Sequence, residues 1–503
     1  MSPPSSGILD SEDWDEVKSD LNPEWALGKQ WKPYWRPAPA GGKINKIINS
    51  IKSAIRARSR PPLENLRPTA YLDGLRGFAA LLVYFHHHEL WVHDISQQNA
   101  ILENSFGYNG HYHFLSLPGI RHFFSGGHYA VSTFFVISGY VLSLKPLTLI
   151  QSGEHLQLSD NIASALFRRW FRLFLPIILS MIVYITVWHT LGIWVRGSTR
   201  QGSWLDELYA FYLEFKNFSF VYREGGEPWL TYNFHLWSIP VEFKGSIIVY
   251  TSLLAFSRCS RTARLWCETG MVVYLLHIAD GAHYAMFAAG MLLCDLDLLA
   301  KKGELPRLLA RLDPVKEFIY YHLLIFSLFL GGVPSENREV EQLAKNRGWY
   351  YLSCLKPQAV FDYKWFYLFW AAVLLVSAIP RISWLKRFFE TRFCQHLGRI
   401  SFSLYLVHGP VLKTLGERLY LATGWQNEEM VKNIPHWVDK LALPKSGPMG
   451  LEVSFLIPHL ILLPLTLGLS ELTTRFIDTP SVKFASWLHK KTVGEAGSKQ
   501  SKA

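Results

Sequence analysis

Cysteine is scarce in this chain of 503 residues, which contains only five. The five lie far apart, with no Cys-x-x-Cys pair and no zinc-site spacing, so the sequence indicates neither a disulfide framework nor a metal centre. A signal-peptide pattern is also missing from the first 70 residues. Five histidines near the end of the first apolar stretch have no metal-site spacing, and we expect them to form a solvated polar loop: His93, His111, His113, His122 and His128.

Charged residues are few as well, at 18 % of the chain, whereas 49 % of residues are hydrophobic and 15 % are aromatic. This composition, with its long apolar runs, argues against a set of soluble domains and predicts an all-α, polytopic protein of the lipid bilayer. The net charge of +11 does not indicate a nucleic-acid partner. Most of the basic residues lie beside apolar runs, where the positive-inside bias explains them.

Ten apolar stretches predict a bundle of about ten transmembrane helices. The loops that follow the even-numbered stretches are short and basic, and those that follow the odd-numbered ones are longer and of mixed charge. The positive-inside rule therefore predicts that both termini are cytosolic. The predicted spans are at about 71–91, 128–147, 173–195, 235–257, 264–280, 281–298, 317–334, 365–380, 400–421 and 452–475.

The domain organisation follows from these spans. Residues 1–70 form a cytosolic N-terminal region that we expect to be partly disordered. Within it, isoleucines at helical spacing among lysines and arginines predict a basic amphipathic helix at the membrane surface near 43–59, the alternative being a basic linker without order. Residues 71–484 form the transmembrane domain, and 485–503 form a polar cytosolic tail.

The stretch from Tyr71 to Glu89 is apolar enough to enter a bilayer, yet it carries Arg76 near its start and three histidines near its end. Of these, His87 lies roughly 20° around the helix from Arg76 and roughly 16 Å along its axis, so the two share a face. Ionisable groups at membrane depth often mark a substrate path or a proton relay. The alternatives are that Arg76 anchors the helix at the membrane edge and that His87 is a packed, hydrogen-bonded residue.

The run YLDGLRGFAALLVYFHH resembles the first helix of the acyltransferase-3 family of multi-pass membrane acyltransferases, in which an arginine, ten residues and a histidine follow one another. Five later stretches resemble motifs of the same family in the same order, and fungal members look closest. These stretches are FFVISGYVLS, RRWFRLFLP, LWSIPVEF, LGRISFSLYLVHGP and FIDTPSVKF, the last with Asp478 where glutamate is common.

The resemblance implies an acyltransferase whose acyl-CoA donor, acetyl-CoA above all, enters from the cytosol as a co-substrate, with no permanently bound cofactor. His87 would be the general base toward an acceptor hydroxyl, or would carry the acyl group covalently. Glu242, expected at a depth similar to that of His87, would assist it. Arg76, Arg169 and Arg172 would bind the donor phosphates; the alternative for the arginines is that they only set orientation.

Three further residues are candidates for lining the cavity. Ser138 is small and suits close helix packing better than nucleophilic chemistry. Tyr405 and His408 lie within the ninth predicted span, where core packing is an equally good interpretation.

The acceptor is the least determined part of the reaction. No separate carbohydrate-binding or esterase domain is recognisable, so we expect a hydroxyl of a small hydrophobic molecule, such as a terpenoid or polyketide alcohol of secondary metabolism, in an endomembrane rather than the plasma membrane. Acylation of a sugar, polysaccharide or lipid is the alternative. A proton-coupled transporter is the rival from another class, although the sequence contains no inverted repeat. Oligomeric state is not predicted.

Overall fold

The computed structural model describes residues 66–93, 107–108, 111–222, 229–335 and 339–493. The predictions for residues 1–65, including the amphipathic helix at 43–59, lie outside the described residues, as does the tail from 494 onward. Residues 485–492, predicted to belong to that tail, continue the last helix.

Helices make up the regular structure of the described residues, apart from one antiparallel hairpin with two residues in each strand, β1 (Gly107–Tyr108) and β2 (His111–Tyr112). The predicted all-α class is therefore confirmed. In chain order the α-helices are α1 (Ala70–His93), α2 (His122–Ser125), α3 (Gly127–Ser152), α4 (His155–Thr190), α5 (Trp204–Phe218), α6 (Ser238–Phe256), α7 (Arg261–Val273), α8 (Ala282–Lys301), α9 (Arg307–Arg311), α10 (Lys316–Gly331), α11 (Val340–Lys345), α12 (Tyr350–Ser353), α13 (Tyr363–Ala378), α14 (Ser383–Phe389), α15 (Arg392–Val411), α16 (Glu417–Ala422), α17 (Glu428–Asn433), α18 (Val453–Thr473) and α19 (Thr479–Thr492).

Each of the ten predicted spans overlaps helical residues, but the count of ten stays a prediction. Six helical stretches of the described chain are long and apolar enough to cross a membrane, which fits an integral membrane protein. α1 and α15 are not among the six, and both carry polar side chains of the candidate site. The six are Gly127–Ser152, His155–Thr190, Thr231–Phe256, Ala282–Lys301, Tyr363–Arg381 and Val453–Thr492; the third includes the 3₁₀ turn Thr231–Trp237 and the last the π turn Thr474–Asp478.

Helix α4 begins at His155, well before residue 173, where the predicted span starts. The apolar residues Leu158, Ile162 and Ala165 are buried at helical spacing, whereas Gln157, Ser159 and Asp160 are exposed. These polar residues lower the local hydropathy and hide the helix from a search for apolar runs. Arg169 and Arg172 therefore lie inside α4, several turns from its start, and not at its mouth.

Helices α1 and α15 run side by side and approach closely at two glycines. A methyl group added at Gly77 would lie 2.1 Å from the backbone nitrogen of Gly398, and one added at Gly398 would lie 2.5 Å from the carbonyl oxygen of Asp73. Small residues at a helix crossing allow this kind of backbone contact. The contact aligns the two helices over the length of the candidate site.

Helix α3 packs along α8 through another glycine, because a methyl group at Gly139 would lie 2.0 Å from the carbonyl oxygen of Phe287. Beside this contact, the rings of Phe135 and Phe287 stack with centroids 5.1 Å apart. The close packing of the FFVISGY stretch thus depends on Gly139, and the neighbouring Ser138 faces a cavity.

The sequence predicts that five histidines form a solvated polar loop. This prediction is wrong for His93, His122 and His128, which pack against other parts of the protein. His93 lies between Glu89 and Glu452, with nitrogen–oxygen distances of 3.2 Å to each. The ring of His128 packs against Trp365. Burial lowers the pKa of His122 to about 4, and its Nε2 lies 2.7 Å from the carbonyl oxygen of Leu328, to which the neutral ring donates. Tertiary packing therefore covers residues that the sequence places in a loop.

Candidate active site

A cavity of about 150 Å³ lies among α1, α3, α4, α6 and α15. Its wall is largely apolar, with contributions such as Phe134 and Leu173. All three arginines predicted to bind the donor line it together. The polar residues that line it are Arg76, Ser138, Lys145, Asn161, Arg169, Arg172, Ser238, Glu242, Ser401 and Tyr405.

The guanidinium of Arg76 is held against α15. Its Nε donates to Ser401 Oγ at 3.0 Å, and its Nη2 donates to the carbonyl oxygen of Gly398 at 3.2 Å. A carboxylate oxygen of Asp73, one turn earlier on α1, lies 3.4 Å from Nη2. These contacts fix the arginine at one end of the site, buried between α1 and α15.

Glu242 forms an ion pair with Arg169, with 2.5 Å between its Oε1 and Nη2 of the arginine. The prediction that Glu242 lies at the depth of His87 is therefore wrong. Glu242 follows His235 by seven residues on a helical path, which places it roughly 10 Å along the axis from the histidine level. The structure brings this carboxylate to the arginines instead.

Asp478, in the closing motif of the chain, is a buried carboxylate near the same arginines. Its charge interacts with those of Arg172 and Arg76. It lies on the π turn after α18, where Thr474 donates to Ser403 Oγ at 2.8 Å and ties the turn to α15. Asp478 thus offsets part of the positive charge around the cavity.

Tyr405 connects the cavity with the histidines. It lines the cavity, and its hydroxyl donates to the backbone carbonyl of His235 and lies 2.7 Å from Ser238 Oγ. His408 follows one turn later on α15, with its ring centroid 5.7 Å from that of Tyr405. Tyr405 therefore lies between the cavity wall and the histidines, none of which lines the cavity itself.

At that end three imidazoles from three separate parts of the chain meet. The ring centroid of His87 lies 4.1 Å from that of His235 and 5.2 Å from that of His408, and the last two are 4.9 Å apart. One ring nitrogen from each lies within 4.8 Å of the other two. Arg76 and His87 thus both face α15, as their helical spacing predicts.

The other two histidines of the triplet face elsewhere. His88 Nδ1 lies 2.6 Å from the hydroxyl of Tyr420, and the ring of His86 packs against His128 with centroids 5.4 Å apart. Only His87 turns toward His235 and His408. The three-way divergence follows from the 100° rotation per residue of a helix.

His235 is the member of this group that the sequence analysis missed. It lies two residues before Trp237, just outside the motif LWSIPVEF, in the 3₁₀ turn that leads into α6. Its only signal in the sequence is its place beside that motif, because nothing in the spacing along the chain connects it to His87. Ser138, Tyr405 and His408 were singled out, and the structure places the first two in the cavity wall and the third among the histidines.

Comparison with known proteins identifies the class. The profile of the acyltransferase-3 family, described as an acyltransferase domain, matches residues 69–442. The chain therefore belongs to the acyltransferase-3 family and is an enzyme that transfers acyl groups.

Similar fungal proteins extend over most of the chain. O-acetyltransferase PaAT-1 from Phomopsis amygdali is 28 % identical, over 89 % of this chain and 93 % of its own length. Acyltransferase clz18 from Cochliobolus lunatus is 22 % identical, over 85 % of this chain and 97 % of its own. Acyltransferase R4 from a Phoma species is 22 % identical, over 72 % and 85 %. No solved structure matches the chain.

Proposed function

We propose that this enzyme moves an acyl group, an acetyl group first of all, from acyl-CoA to a hydroxyl of a small-molecule acceptor. The observation that carries the proposal is the arrangement along α1. An arginine-lined cavity lies at one end, and an imidazole that faces the same neighbouring helix lies at the other. The name of the Phomopsis amygdali relative, an O-acetyltransferase, supports both the acetyl group and the hydroxyl.

The arginines suit the donor's phosphate groups. Guanidinium groups bind phosphate through paired, charge-assisted hydrogen bonds. Coenzyme A has three phosphate groups at one end and its thioester at the end of a long, thin arm. The separation of roughly 16 Å between Arg76 and His87 along α1 suits such an arm. Arg76, Arg169 and Arg172 would hold the phosphates, and the thioester would lie near Tyr405 and the histidines.

His87 would act as the general base. It takes the proton of the acceptor hydroxyl while the oxygen attacks the thioester carbonyl carbon. The carbon–sulfur bond then breaks, and the departing thiolate of coenzyme A receives the proton from the His87 imidazolium. The products are an ester and free coenzyme A, and no redox partner or metal enters this balance.

The role proposed for Glu242 changes with its position. Its ion pair with Arg169 orients that guanidinium toward the cavity and limits the positive charge that is buried when no donor is bound. Glu242 is thus a positioning residue for the donor site, and no longer the partner of the base.

Topology supports entry of the donor from the cytosol. We infer ten spans with both termini cytosolic, because basic loops follow the even-numbered spans. In that orientation α1 begins at the cytosolic side, so that Arg76 is nearer the cytosol and His87 nearer the lumen of an endomembrane compartment. The acceptor, a small hydrophobic alcohol such as a terpenoid or polyketide, would reach the histidine end from the bilayer or the lumen.

The proposal is tested by measuring free coenzyme A thiol released from acetyl-CoA by purified protein reconstituted in lipid. The acceptors are a panel of terpenoid and polyketide alcohols, with a sugar and a lipid alcohol for the alternative classes. We expect release that depends on the acceptor, together with a product heavier by one acetyl group. His87→Ala is the matched inactive control. The result that would overturn the proposal of an acyl-CoA donor is a folded enzyme that releases no thiol with any of these acceptors, whether the donor is acetyl-CoA or a longer acyl-CoA.

A further inference from the structure

The group of His87, His235 and His408 has a feature that acid–base catalysis alone does not require. Its members come from α1, from the 3₁₀ turn before α6 and from α15, and one nitrogen of each lies within 4.8 Å of the other two. A single general base needs one imidazole. Three imidazoles whose nitrogens lie this close together each offer a ligand atom to an ion bound between them.

Hydrogen bonds fix the tautomers of two of the rings. His408 Nδ1 lies 3.1 Å from the carbonyl oxygen of Leu404, which only accepts, so the proton is on Nδ1 and the lone pair is on Nε2. His235 Nδ1 lies 3.2 Å from Asn233 Oδ1. The amide of Asn233 is oriented by its Nδ2, which donates to the carbonyl oxygen of Leu406 at 3.1 Å, so the oxygen faces His235 and accepts from it.

This is the outer-shell pattern of metal-binding histidines, in which the nitrogen away from the metal donates to a carbonyl, amide or carboxylate oxygen. The Nε2 atom of His408 is buried and has no hydrogen-bond partner among the described residues. A buried acceptor without a partner is destabilising, so the arrangement is one that a ligand at this nitrogen stabilises.

The spacing suits a transition metal after a small adjustment. Zinc–nitrogen bonds of roughly 2.0–2.1 Å in a tetrahedron place the nitrogens roughly 3.4 Å apart. The nitrogens lie within 4.8 Å of one another, so they approach by up to roughly 1.4 Å to reach that separation, and the nearly parallel rings of His87 and His408 turn toward the ion. Imidazole ligands favour zinc, copper, nickel and cobalt over magnesium or calcium.

We propose that His87, His235 and His408 form a binding site for a divalent transition-metal ion of the zinc type, and that occupation of this site inhibits acyl transfer. An imidazole whose lone pair is bound to a metal cannot accept a proton. The inhibition rests on the proposed role of His87 as the base, whereas metal binding rests on the geometry alone. The site is thus a regulatory one that shares a residue with the catalytic centre.

Metal binding is measured on the full chain in detergent, stripped with a chelator and then titrated with Co²⁺ or Zn²⁺. We expect one equivalent bound per chain, and with Co²⁺ the intense visible absorption of a low-coordinate nitrogen site. That spectrum needs no variant, so the test does not depend on a substituted protein folding. A wild-type protein that binds no Co²⁺ and no Zn²⁺ would overturn the proposed site and leave the acyltransferase function untouched.

Two variants assign the binding to this group. His235→Ala and His408→Ala should each lose at least tenfold in metal affinity. His459→Ala is the matched control, because His459 is another partly enclosed imidazole at the same end of the molecule and contacts Tyr84 and Tyr420 instead. It should bind like the wild type. Loss of binding in His459→Ala with retention in the other two would overturn the assignment.

The inhibition is measured as acetyl transfer with and without Zn²⁺. We expect wild-type activity to fall as the site fills and to return when a chelator is added. In His235→Ala, which retains His87, at least tenfold more Zn²⁺ should be needed for the same inhibition. Filled sites with unchanged or increased activity would overturn the inhibition and, with it, the role of His87 as the base, while leaving the metal site standing.

Discussion

At the scale of single residues, the three consecutive histidines of α1 have different surroundings. His87 faces His235 and His408, whereas His88 is bonded to Tyr420 and His86 is packed against His128. In the proposed mechanism, the catalytic role therefore falls on only one of three adjacent positions. Substitutions of His86 and His88 then serve as controls for substitution of His87.

We predict that His87→Ala lowers kcat for acyl transfer by about 10²- to 10⁴-fold, the usual contribution of a general base. His86→Ala and His88→Ala should cost less, because they remove packing and one hydrogen bond but no proton acceptor at the reacting group. The measurement is turnover of reconstituted protein after folding is checked by size exclusion. Near-normal turnover in His87→Ala, with His86→Ala or His88→Ala inactive, would contradict the assignment of the base.

The ion pair of Arg169 with Glu242 leads to a prediction about the direction in which a second substitution changes the donor KM. Arg169→Ala removes a charged contact worth roughly 1.5–3 kcal/mol and leaves a carboxylate facing the donor phosphates. We expect a KM for acyl-CoA at least tenfold higher. Adding Glu242→Gln to that variant removes the repulsion, so the double variant should bind the donor better than Arg169→Ala alone.

The same kinetic series contains its own check. Acceptor KM should stay near the wild-type value in both variants, since neither residue lies at the histidine end. A double variant with a donor KM equal to or above that of Arg169→Ala would mean that Glu242 does not act through the donor site.

At the scale of helices, the alignment of α1 with α15 sets the geometry of the site. Arg76 is bonded to Ser401 and Gly398 at one level, and His87 meets His408 at another. Both contacts depend on how closely the two backbones approach. The glycine contact at Gly77 and Gly398 is thus a structural condition for the geometry of the candidate site.

We predict that Gly77→Ala destabilises the protein by about 1–3 kcal/mol, because a methyl group at 2.1 Å from a backbone nitrogen forces the helices apart. The melting temperature in detergent should fall and the donor KM should rise. Gly468→Ala on α18 is the control. Its added methyl group meets nothing within 4 Å, so it should be neutral or slightly stabilising. Equal effects of the two substitutions would contradict the packing argument.

At the scale of the whole molecule, the orientation in the bilayer decides which end of α1 would meet the proposed cytosolic donor. The arginines of α1 and α4 gather around one cavity, and the histidines lie further along α1. Donor entry from the cytosol requires that the arginine end faces that side. Topology is therefore a functional property of this enzyme.

We predict that epitope tags at both termini are accessible on the cytosolic side of sealed microsomes, because basic loops follow the even-numbered spans. A tag inserted after α1 should be protected from protease until detergent is added, and it serves as the internal control. A protected tag at either terminus would reverse or break the proposed topology, and with it the cytosolic entry of the donor.

Much of this protein follows from local chemistry that the sequence displays directly. Apolar runs and helical periodicity predict the all-α class and its long apolar helices, because backbone hydrogen bonds in a bilayer must be made within each segment. The shared face of Arg76 and His87 follows from the helical repeat alone. The order of the motifs indicates the family, which the family profile then confirms. All of these depend on residues that are near one another along the chain or that belong to recurring motifs.

Contacts between helices could not be predicted in the same way. The meeting of His235 and His408 with His87, the ion pair of Glu242 with Arg169, and the depth of Arg169 within α4 depend on how far each helix extends and how it is rotated against its neighbours. Those quantities result from packing summed over many side chains, including the close approach at Gly77 and Gly398. A shift of one residue along a helix turns a side chain by roughly 100°. Local sequence patterns therefore do not predict which residues a polar group contacts, because those contacts depend on how the helices pack.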